Sequence, residues 1–400
     1  MSGPPTVAFV VPRYGEGFSG GVEAQCRRMA MDARAAGWSV TVLTTTAGGL
    51  PEGPERFPPG PAELDGISIA RFRLDSRRVA RFAPCHHRLA ISPRSVRAAE
   101  RVTWAREGVV EAAFYDALAA AARVCDAVVF LPYLPYLFNA RALDVEGVSE
   151  RAVVVPCLHD EGAAHAPEVR ALLERCALVL FNCEAERDFA VRRLGVVPRK
   201  SIVLGEHVPD VPWATAGPTR EAGPGNAPYV LCCGRIEAAK GTPWLARLHA
   251  RHVRAHPTAP VLALAGSGDA VEGDGVLSHG FVSAGALHRL MASALALVNP
   301  SRLESFSLVV MESWIHARPV IVNRRCAVTR SHVERSGGGL LFDDLASYAS
   351  ALDALVRDPA WADELGRRGQ EYVRARYSHD VVAERMRRAI EGLRYANSRP

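Results

Sequence analysis

The chain has 400 residues, which is more than a single hydrophobic core usually supports, so two domains are expected. Apolar residues make up 48% of the sequence and charged residues 23%, which is the balance of a globular protein. The net charge of +5 is mild and argues against a nucleic-acid partner, and no apolar run is long enough to span a bilayer or to serve as a secretory signal.

The N-terminal part alternates short apolar runs with helical patterns. Residues 6–12 are a buried-strand pattern, residues 22–36 predict a helix, and residues 38–43 predict the next strand. This strand–loop–helix–strand order predicts an α/β fold with a parallel sheet. Residues 47–66 are rich in proline and glycine and are expected to form a loop, followed by a strand at residues 67–72.

The glycine-rich loop after the first strand has two interpretations. It contains a literal G-x-G-x-x-G at Gly15, Gly17 and Gly20, so an NAD(P)-dependent oxidoreductase or epimerase with a Rossmann site is one alternative. That alternative requires an acidic residue near the end of the second strand, where Thr44 to Thr46 stand instead. In the other interpretation, Gly20 and Gly21 let the backbone approach a phosphate or a sugar at the helix start.

The rest of this half offers one further candidate residue. Residues 71–106 carry many arginines, which suits a solvated face or, alternatively, a patch for an acceptor or an anionic surface. Residues 109–124 predict a helix, and residues 151–156 are another strand pattern, followed closely by His159. Polar residues just past a parallel strand lie on the ligand-binding edge of such sheets, so His159 is a candidate functional residue.

A proline-rich stretch separates the two halves of the chain. Residues 207–228 hold several prolines and glycines without a periodic pattern and predict a linker. We therefore expect an N-terminal domain at residues 1–206, a second α/β domain at residues 229–378, and a last helical segment at residues 379–400.

Two cations flank a loop near the start of the second domain. A strand pattern at residues 229–233 is followed by Arg235 and Lys240, and Thr242-Pro243 then predicts the start of a helix. A loop between a strand end and a helix start suits a diphosphate, because a guanidinium binds oxygens in a fork and an ammonium binds them as a point charge. The alternative is a pair of ordinary surface cations.

The stretch from Asn299 to Glu312 carries the most specific signal. It follows a short apolar strand, and Ser305 is the predicted N-cap of a helix that runs towards Ala317. Glu304 then lies just before the helix and Glu312 about two turns inside it. A helix start favours an anion such as a diphosphate, and each carboxylate suits a pair of hydroxyls. The amides expected at the anion are those of Ser305, Phe306, Ser307 and Leu308. The alternative is a surface helix with two ordinary glutamates.

The two signals together resemble a known family. Arg235 and Lys240 belong to a G-R-x4-K-G, and Glu304 and Glu312 form an E-x7-E about 70 residues further on. This order and spacing resemble the retaining glycosyltransferases with the GT-B fold, family 4. The segment from Gly20 to Glu23 looks like the G-G-x-E of the same family. The resemblance implies two Rossmann-like domains facing a central cleft, with the acceptor side in the first domain and the last helix packing back on it.

The resemblance also implies an activity and roles for the residues. The reaction would move a hexose-type sugar from a nucleoside-diphosphate sugar to a hydroxyl acceptor, with UDP or GDP as the expected nucleotide. The configuration at the anomeric carbon would be retained, because the acceptor attacks from the same face. Arg235 and Lys240 would hold the diphosphate, Glu304 the donor sugar and Glu312 the ribose, while His159 would orient the reacting groups. No metal and no cofactor are implied, and the sequence has no D-x-D to hold a metal.

Several points stay open at this stage. The acceptor is expected to be a small molecule, a glycan or a lipid-linked sugar, with a peripheral membrane contact left open. A non-catalytic sugar-nucleotide binder and a protein that couples a sugar-like cyclitol are further alternatives. The nine cysteines are odd in number and lack C-x-x-C spacing, which favours buried thiols in a reducing cytoplasm. A role in bacterial biosynthesis fits these expectations.

Overall fold

The computed structural model describes residues 3–18, 20–208 and 227–397. The chain divides into two compact units. The first runs to Gly205 and takes up the chain again from Ala383, and the second extends from Glu206 to Val382. Most of the predicted linker, residues 209–226, lies outside the described residues.

The first unit is built on an eight-stranded sheet. Its strands are β1 Thr6–Val10, β2 Ser39–Thr45, β3 Gly60–Leu64, β4 Ile67–Phe72, β5 Ala127–Phe130, β6 Ala152–Val154, β7 Leu178–Phe181 and β8 Ser201–Val203. Their order in the sheet is β3-β4-β2-β1-β5-β6-β7-β8. All neighbouring pairs are parallel except β3 with β4. The central strands β5, β6 and β7 are buried along their whole length, as expected when helices cover both faces of a parallel sheet.

The helices of the first unit connect its strands, and three of them in succession lie between β4 and β5. They are α1 Gly21–Ala35, α2 Ser76–Ile91, α3 Ala98–Glu107, α4 Ala113–Val124, α5 Ala140–Leu143, α6 Pro167–Arg175 and α7 Glu184–Asp188. The helix predicted at residues 109–124 begins four residues later, because Val109 and Val110 are fully buried in the core before the helix starts.

The second unit contains a six-stranded sheet in which every neighbouring pair is parallel. Its strands are β9 Tyr229–Cys233, β10 Val261–Ala265, β11 Val276–Ser278, β12 Leu297–Asn299, β13 Val320–Asn323 and β14 Gly339–Phe342, in the order β11-β10-β9-β12-β13-β14. Its helices are α8 Thr242–Ala255, α9 Ala284–Ser293, α10 Leu308–Ile315, α11 Ala327–Ser336, α12 Leu345–Arg357 and α13 Pro359–Tyr377. The expected pair of Rossmann-like parallel α/β domains is thus confirmed.

The last helix, α14 His379–Asn397, joins the first unit from Ala383 onwards. Arg394 pairs with Asp126 at 3.2 Å, at the start of β5, and Arg385 donates to the carbonyl of Leu204 at 3.2 Å. The buried face of the helix includes Ile390.

The prediction of a loop over residues 47–66 was wrong for its last part. Strand β3 pairs antiparallel with β4 through a two-residue turn at Asp65 and Gly66, both with positive φ. Asp-Gly is a typical hairpin turn of this kind. The strand itself is a partly exposed edge strand whose residues alternate in exposure, so it lacks the apolar run that marked the other strands.

The arginine-rich segment at residues 71–106 is not a uniformly solvated face. Phe82, Cys85 and Leu89 on α2 are buried in the core, while the arginines form ion pairs such as Arg88 with Glu100. A search of the described residues finds no helix with the length and apolar character needed to cross a membrane.

Candidate functional site

The carboxyl ends of β9 and β12 form the natural binding edge of the second unit. β9 lies between β10 and β12, so the order of the strands along the chain reverses at this point. In open α/β sheets, ligands bind at such a switch point, outside the carboxyl ends of the strands. Arg235 and Lys240 follow β9, and Glu304 follows β12, so the sheet topology assigns both predicted signals to one edge.

The loop after β9 is held against the loop after β12 by a close backbone approach. A single 3₁₀ turn from Ala238 to Lys240 leads into Gly241, which adopts a left-handed conformation with φ of 77°. A Cβ atom at Gly241 would lie 2.8 Å from the carbonyl oxygen of Pro300. Asn323, at the end of β13, donates to the same carbonyl at 2.9 Å. Only glycine therefore permits this approach of the two loops.

Lys240 and Glu304 are in direct contact. Nζ of Lys240 donates to Oε1 of Glu304 at 3.0 Å, and their side chains are 29% and 13% exposed. The pair places an ammonium and a carboxylate side by side at the binding edge. An ammonium is suited to phosphate oxygens and a carboxylate to hydroxyls.

The predicted start of the helix after Glu304 was wrong. Helix α10 begins at Leu308, and its N-cap is Ser307, in a left-handed conformation with φ of 75°, rather than Ser305. The amides that open the helix start at Leu308, so those of Ser305 and Phe306 belong to the preceding turn. Glu312 is the fifth residue of α10, just over one turn inside it, and half-buried.

Side-chain packing explains the shift. Phe306 is fully buried, with its ring edge-on to Tyr377 and His332 at centroid distances of 4.9 and 5.4 Å. Burying this ring draws the chain inward and ends the turn before the helix begins. Asn299 then donates its side-chain amide to Oγ of Ser307 at 2.9 Å, which ties the end of β12 to the N-cap.

The two remaining donor-side candidates are Arg235, in the loop after β9, and Glu312, on α10. Arg235 is 71% exposed and contacts Glu237 at 3.0 Å, so its guanidinium is accessible but has an acidic neighbour. Glu312 lies close to the thiol of Cys233 at the end of β9. Burial, with further contributions from Cys232 and Glu312, raises the pKa of that thiol well above its ordinary value.

The candidates of the first unit lie at the carboxyl edge of its own sheet. His159 follows β6 and is half-buried, with Nδ1 3.8 Å from Oε1 of Glu161. The hydroxyl of Tyr133, in the loop after β5, donates to the same carboxylate oxygen at 2.7 Å. Burial alone would raise the pKa of Glu161, but its contact with His159 and its hydrogen bond from Tyr133 outweigh burial and hold that pKa below its ordinary value. An ionised carboxylate thus stands beside His159.

Gly20 and Gly21 stand at the start of helix α1, the first helix or strand after β1. Gly20 is the N-cap, in an extended conformation, and Gly21 is the first helical residue with open space where a side chain would be. Arg13 donates through Nε to Glu23 at 2.6 Å, and Glu23 folds back over Gly20. Gly20, Gly21 and His159 belong to the first unit, whereas Arg235, Lys240, Glu304, residues 305–308 and Glu312 belong to the second.

Several residues around these candidates did not emerge from the sequence as functional. Tyr133 lies in the aromatic segment 132–138, whose pattern suits a pocket lining or plain packing, and Glu161 follows His159 by two positions. The strand end of β7 adds Asn182 and Glu186, whose side chains are buried. A polar residue at a strand end is the available sequence signal, but only the sheet order shows which strand ends are neighbours.

The same architecture occurs in solved structures. Sucrose-phosphate synthase from Thermosynechococcus elongatus superposes with a TM-score of 0.69, at 19% identity, over 98% of this chain and 100% of that one. At this identity the likeness concerns the fold alone. Together with the two parallel sheets, it defines the fold class as GT-B.

Sequence comparisons define the family more closely. Residues 227–358 match the model of the family described as glycosyl transferases group 1. Trehalose synthase of Rubrobacter xylanophilus is 40% identical over 81 residues, which are 20% of this chain and 19% of that protein. D-inositol 3-phosphate glycosyltransferase of an Arthrobacter species is 32% identical over 155 residues, 35% of this chain and 37% of that protein. The matched regions thus span well under half the length of these relatives. Residues 227–358 of the second unit are thus similar to the glycosyl transferases group 1.

Proposed function

We propose that the protein is a retaining glycosyltransferase that moves a hexose-type sugar from a nucleoside-diphosphate sugar to a hydroxyl of its acceptor. The single observation that carries the proposal is the contact of Lys240 with Glu304 at the switch point of the second sheet. Phosphate oxygens and sugar hydroxyls are adjacent in a nucleotide sugar, as the ammonium and the carboxylate are here. The match of residues 227–358 to a glycosyltransferase family supports the same donor.

In the proposed reaction the bond between the anomeric carbon and the β-phosphate oxygen breaks, and a bond from that carbon to the acceptor oxygen forms on the same face. The acceptor's proton passes to the departing phosphate. The diphosphate gains negative charge as the bond breaks. Lys240, Arg235 and the amides at the start of α10 are the groups proposed to stabilise that charge. A preorganised donor of this kind typically contributes on the order of 3 kcal/mol to the transition state.

The two glutamates are proposed to orient the donor at its two ends. Glu304 would accept hydrogen bonds from the donor sugar and Glu312 from the ribose. Retaining glycosidases instead use two carboxylates about 5 Å apart, one of them as a nucleophile. We assign Glu304 and Glu312 to binding, because the first precedes α10 and the second is the fifth residue of that helix.

His159 is proposed to orient the reacting sugar or the incoming hydroxyl. Its place past the end of β6, next to the ionised Glu161, supports this role. The names of the relatives, a trehalose synthase, an inositol phosphate glycosyltransferase and a sucrose-phosphate synthase, all point to small polyhydroxylated molecules. We therefore propose a small polyhydroxylated acceptor.

Ligand binding and turnover test the proposal. Purified protein is screened by thermal shift with UDP, GDP, dTDP and NAD(P), and then with the matching sugar nucleotides and a panel of sugars and cyclitols as acceptors. We expect stabilisation by one nucleoside diphosphate and release of that diphosphate only when an acceptor is present. Stabilisation by NAD(P) alone would overturn the proposal in favour of an oxidoreductase or epimerase. Donor binding without transfer or hydrolysis would indicate a sugar-nucleotide binder.

The proposed charge stabilisation also predicts independence from metal ions. We expect the rate of sugar transfer to stay unchanged when the protein is treated with EDTA and assayed in a chelated buffer, because protein cations take the place of a divalent ion at the diphosphate. The measurement is nucleotide release with and without added Mg²⁺ or Mn²⁺. Loss of transfer on chelation, restored by either metal, would contradict this mechanism.

A further inference from the structure

A buried carboxylate links two neighbouring strand ends in the first unit. Glu186, on α7, is 1% exposed. Its Oε1 accepts a hydrogen bond from the backbone N–H of Leu158 at 2.6 Å, and its Oε2 accepts one from the backbone N–H of Asn182 at 2.5 Å. Leu158 comes after β6 and Asn182 directly after β7, and these strands are parallel neighbours. One side chain therefore connects the carboxyl ends of both strands.

This arrangement suits a carboxylate and not an amide. Both oxygens of a carboxylate accept hydrogen bonds, so both backbone amides are satisfied at once. A glutamine of the same shape would present its own NH₂ group to one of the two amides, and two donors would then face each other. A buried donor without an acceptor is unfavourable, so the loop that carries it has to move.

The residue before Leu158 shows that this loop is under constraint. Cys157 has a positive φ of 52°, which a residue with a side chain adopts only when its surroundings impose it. Its thiol donates to Oε1 of Gln25 at 3.3 Å, and Nε2 of Gln25 donates to the side chain of Asn182 at 2.7 Å. Helix α1, the end of β6 and the end of β7 are thus joined by one buried polar network.

His159 is the next residue after Leu158. The contact of its ring with Glu161 is 3.8 Å long, beyond the length of a good hydrogen bond. The position of the imidazole therefore depends mainly on the backbone that carries it. That backbone is held at Leu158 by Glu186, and the side chain of the preceding Cys157 is held by Gln25.

We propose that Glu186 is a positioning residue for His159: by accepting the Leu158 amide, it determines where the imidazole stands at the carboxyl edge of the first sheet. The proposal rests on the role in sugar transfer proposed above for His159. Because Glu186 is buried and acts through the backbone, its removal should have no effect of its own once the imidazole is gone.

A double-mutant cycle tests this dependence. We compare the wild-type protein with Glu186→Gln, His159→Ala and the double variant, and measure kcat and the donor KM for each. In the presence of His159, Glu186→Gln should lower kcat by about tenfold or more and change the donor KM by less than about twofold. In the His159→Ala background the same substitution should change kcat by less than about twofold. Equal losses in both backgrounds would overturn the proposal.

NMR signals of the histidine side chains test the position of His159 without any enzymatic turnover. The protein has 13 histidines, and the ¹³C-labelled imidazole resonance of His159 is identified by its disappearance in His159→Ala. We expect Glu186→Gln to displace this resonance while the other histidine signals keep their positions. Glu184→Gln, two positions away on the same short helix, is the matched control and should leave it in place. An unmoved His159 resonance in Glu186→Gln would refute the proposal.

The kinetic cycle and the histidine spectra together distinguish a failure of the proposed function from a failure of the role proposed for Glu186. If the wild-type protein transfers no sugar from any donor, the proposed function fails, and the spectra alone decide whether Glu186 positions His159. If the wild-type protein is active but the cycle is additive, the function stands and the positioning role is refuted. Melting temperatures of all variants show whether Glu186→Gln is folded, and Glu186→Asp serves as a second variant that retains the charge.

Discussion

At the scale of single residues, the pairing of Lys240 with Glu304 is the most informative contact of the second unit. The sequence assigned each of them to a different part of the same ligand, and the structure brings them to 3.0 Å of each other. Both are partly buried, so the pair is less screened by water than an exposed ion pair. A donor has to present an anionic group and a hydroxyl group at neighbouring positions to satisfy both.

This pair leads to a prediction for Lys240→Ala. If Lys240 stabilises the charge that develops on the diphosphate, its loss should lower kcat by about a hundredfold or more, because one preorganised donor disappears. Steady-state nucleotide release measures the effect.

The chain offers a matched control, because Lys200 is its only other lysine and is exposed in the first unit. Lys200→Ala should leave kcat and the donor KM at their wild-type values. A Lys240→Ala variant that keeps kcat within about threefold of the wild type would remove Lys240 from the mechanism.

At the scale of elements, the turns around β12 show why the helix start differs from its prediction. Serine is a good N-cap residue, and two serines, Ser305 and Ser307, precede α10. The choice between them depends on Phe306, whose ring is buried against Tyr377 on α13 and His332 on α11. His332 lies 26 residues and Tyr377 lies 71 residues after Phe306 in the chain, so no local sequence pattern indicates which serine is the N-cap.

The close approach of the loops after β9 and β12 predicts a specific effect of Gly241→Ala. A side chain at φ of 77° costs about 1–2 kcal/mol, and the added Cβ would also press on the Pro300 carbonyl. We expect a lower free energy of unfolding in urea and weaker binding of the nucleoside diphosphate by calorimetry, because Lys240 moves with the loop.

Gly337→Ala separates the two causes. Gly337 has a similar φ of 64°, but its nearest neighbour is a flexible arginine side chain at 3.6 Å. This control should lose comparable stability and retain nucleotide affinity. Equal loss of affinity in both variants would mean that the approach to Pro300 has no bearing on the site.

The same packing predicts a dependence of stability on pH. Burial lowers the pKa of His332 to about 3, with Arg335 and Arg376 adding to the effect. In the unfolded chain, His332 binds a proton near pH 6.5. The free energy of unfolding is therefore unaffected by the titration of this histidine above pH 6.5, and it decreases as the pH falls from there towards 3. Between pH 7 and pH 5 we expect His332 to account for about 2 kcal/mol of the loss.

His332→Phe tests this directly, since phenylalanine keeps the ring and removes the titration. Urea unfolding at pH 7 and pH 5 should show a smaller loss of stability in the variant than in the wild type. His87→Phe, at an exposed position, is the control for the substitution itself. An identical pH dependence in wild type and His332→Phe would contradict the assignment.

At the scale of the whole molecule, the chain builds two parallel sheets and then adds its last helix to the first unit. The ion pair of Arg394 with Asp126 and the hydrogen bond from Arg385 to Leu204 connect α14 to that unit. Ile390 on the same helix is 1% exposed. The first unit therefore depends on residues at both ends of the chain.

Ile390→Ala should accordingly destabilise the protein by about 2–5 kcal/mol, the cost of removing a buried isoleucine side chain and leaving a cavity. The measurement is the urea midpoint, together with the rate of proteolysis of the first unit. Arg388→Ala on the exposed side of the same helix removes only a surface ion pair with Glu384 and should cost less than about 1 kcal/mol. Equal effects of the two substitutions would show that α14 is not part of the core.

The amino-acid sequence by itself determined the α/β class and the positions of most strands, because buried parallel strands read as short apolar runs and glycines mark the turns between them. It also supplied the candidate residues of the donor side, which stay a prediction. It also brought out His159, Lys240 and Glu304 individually. Only the tertiary structure decided the hairpin at β3, the start of α10 at Leu308, the contact between Lys240 and Glu304, and the link from Glu186 to the His159 loop. The physical reason is that strand order, ring packing and buried hydrogen bonds join residues far apart in the chain, whereas local patterns record only propensity and burial.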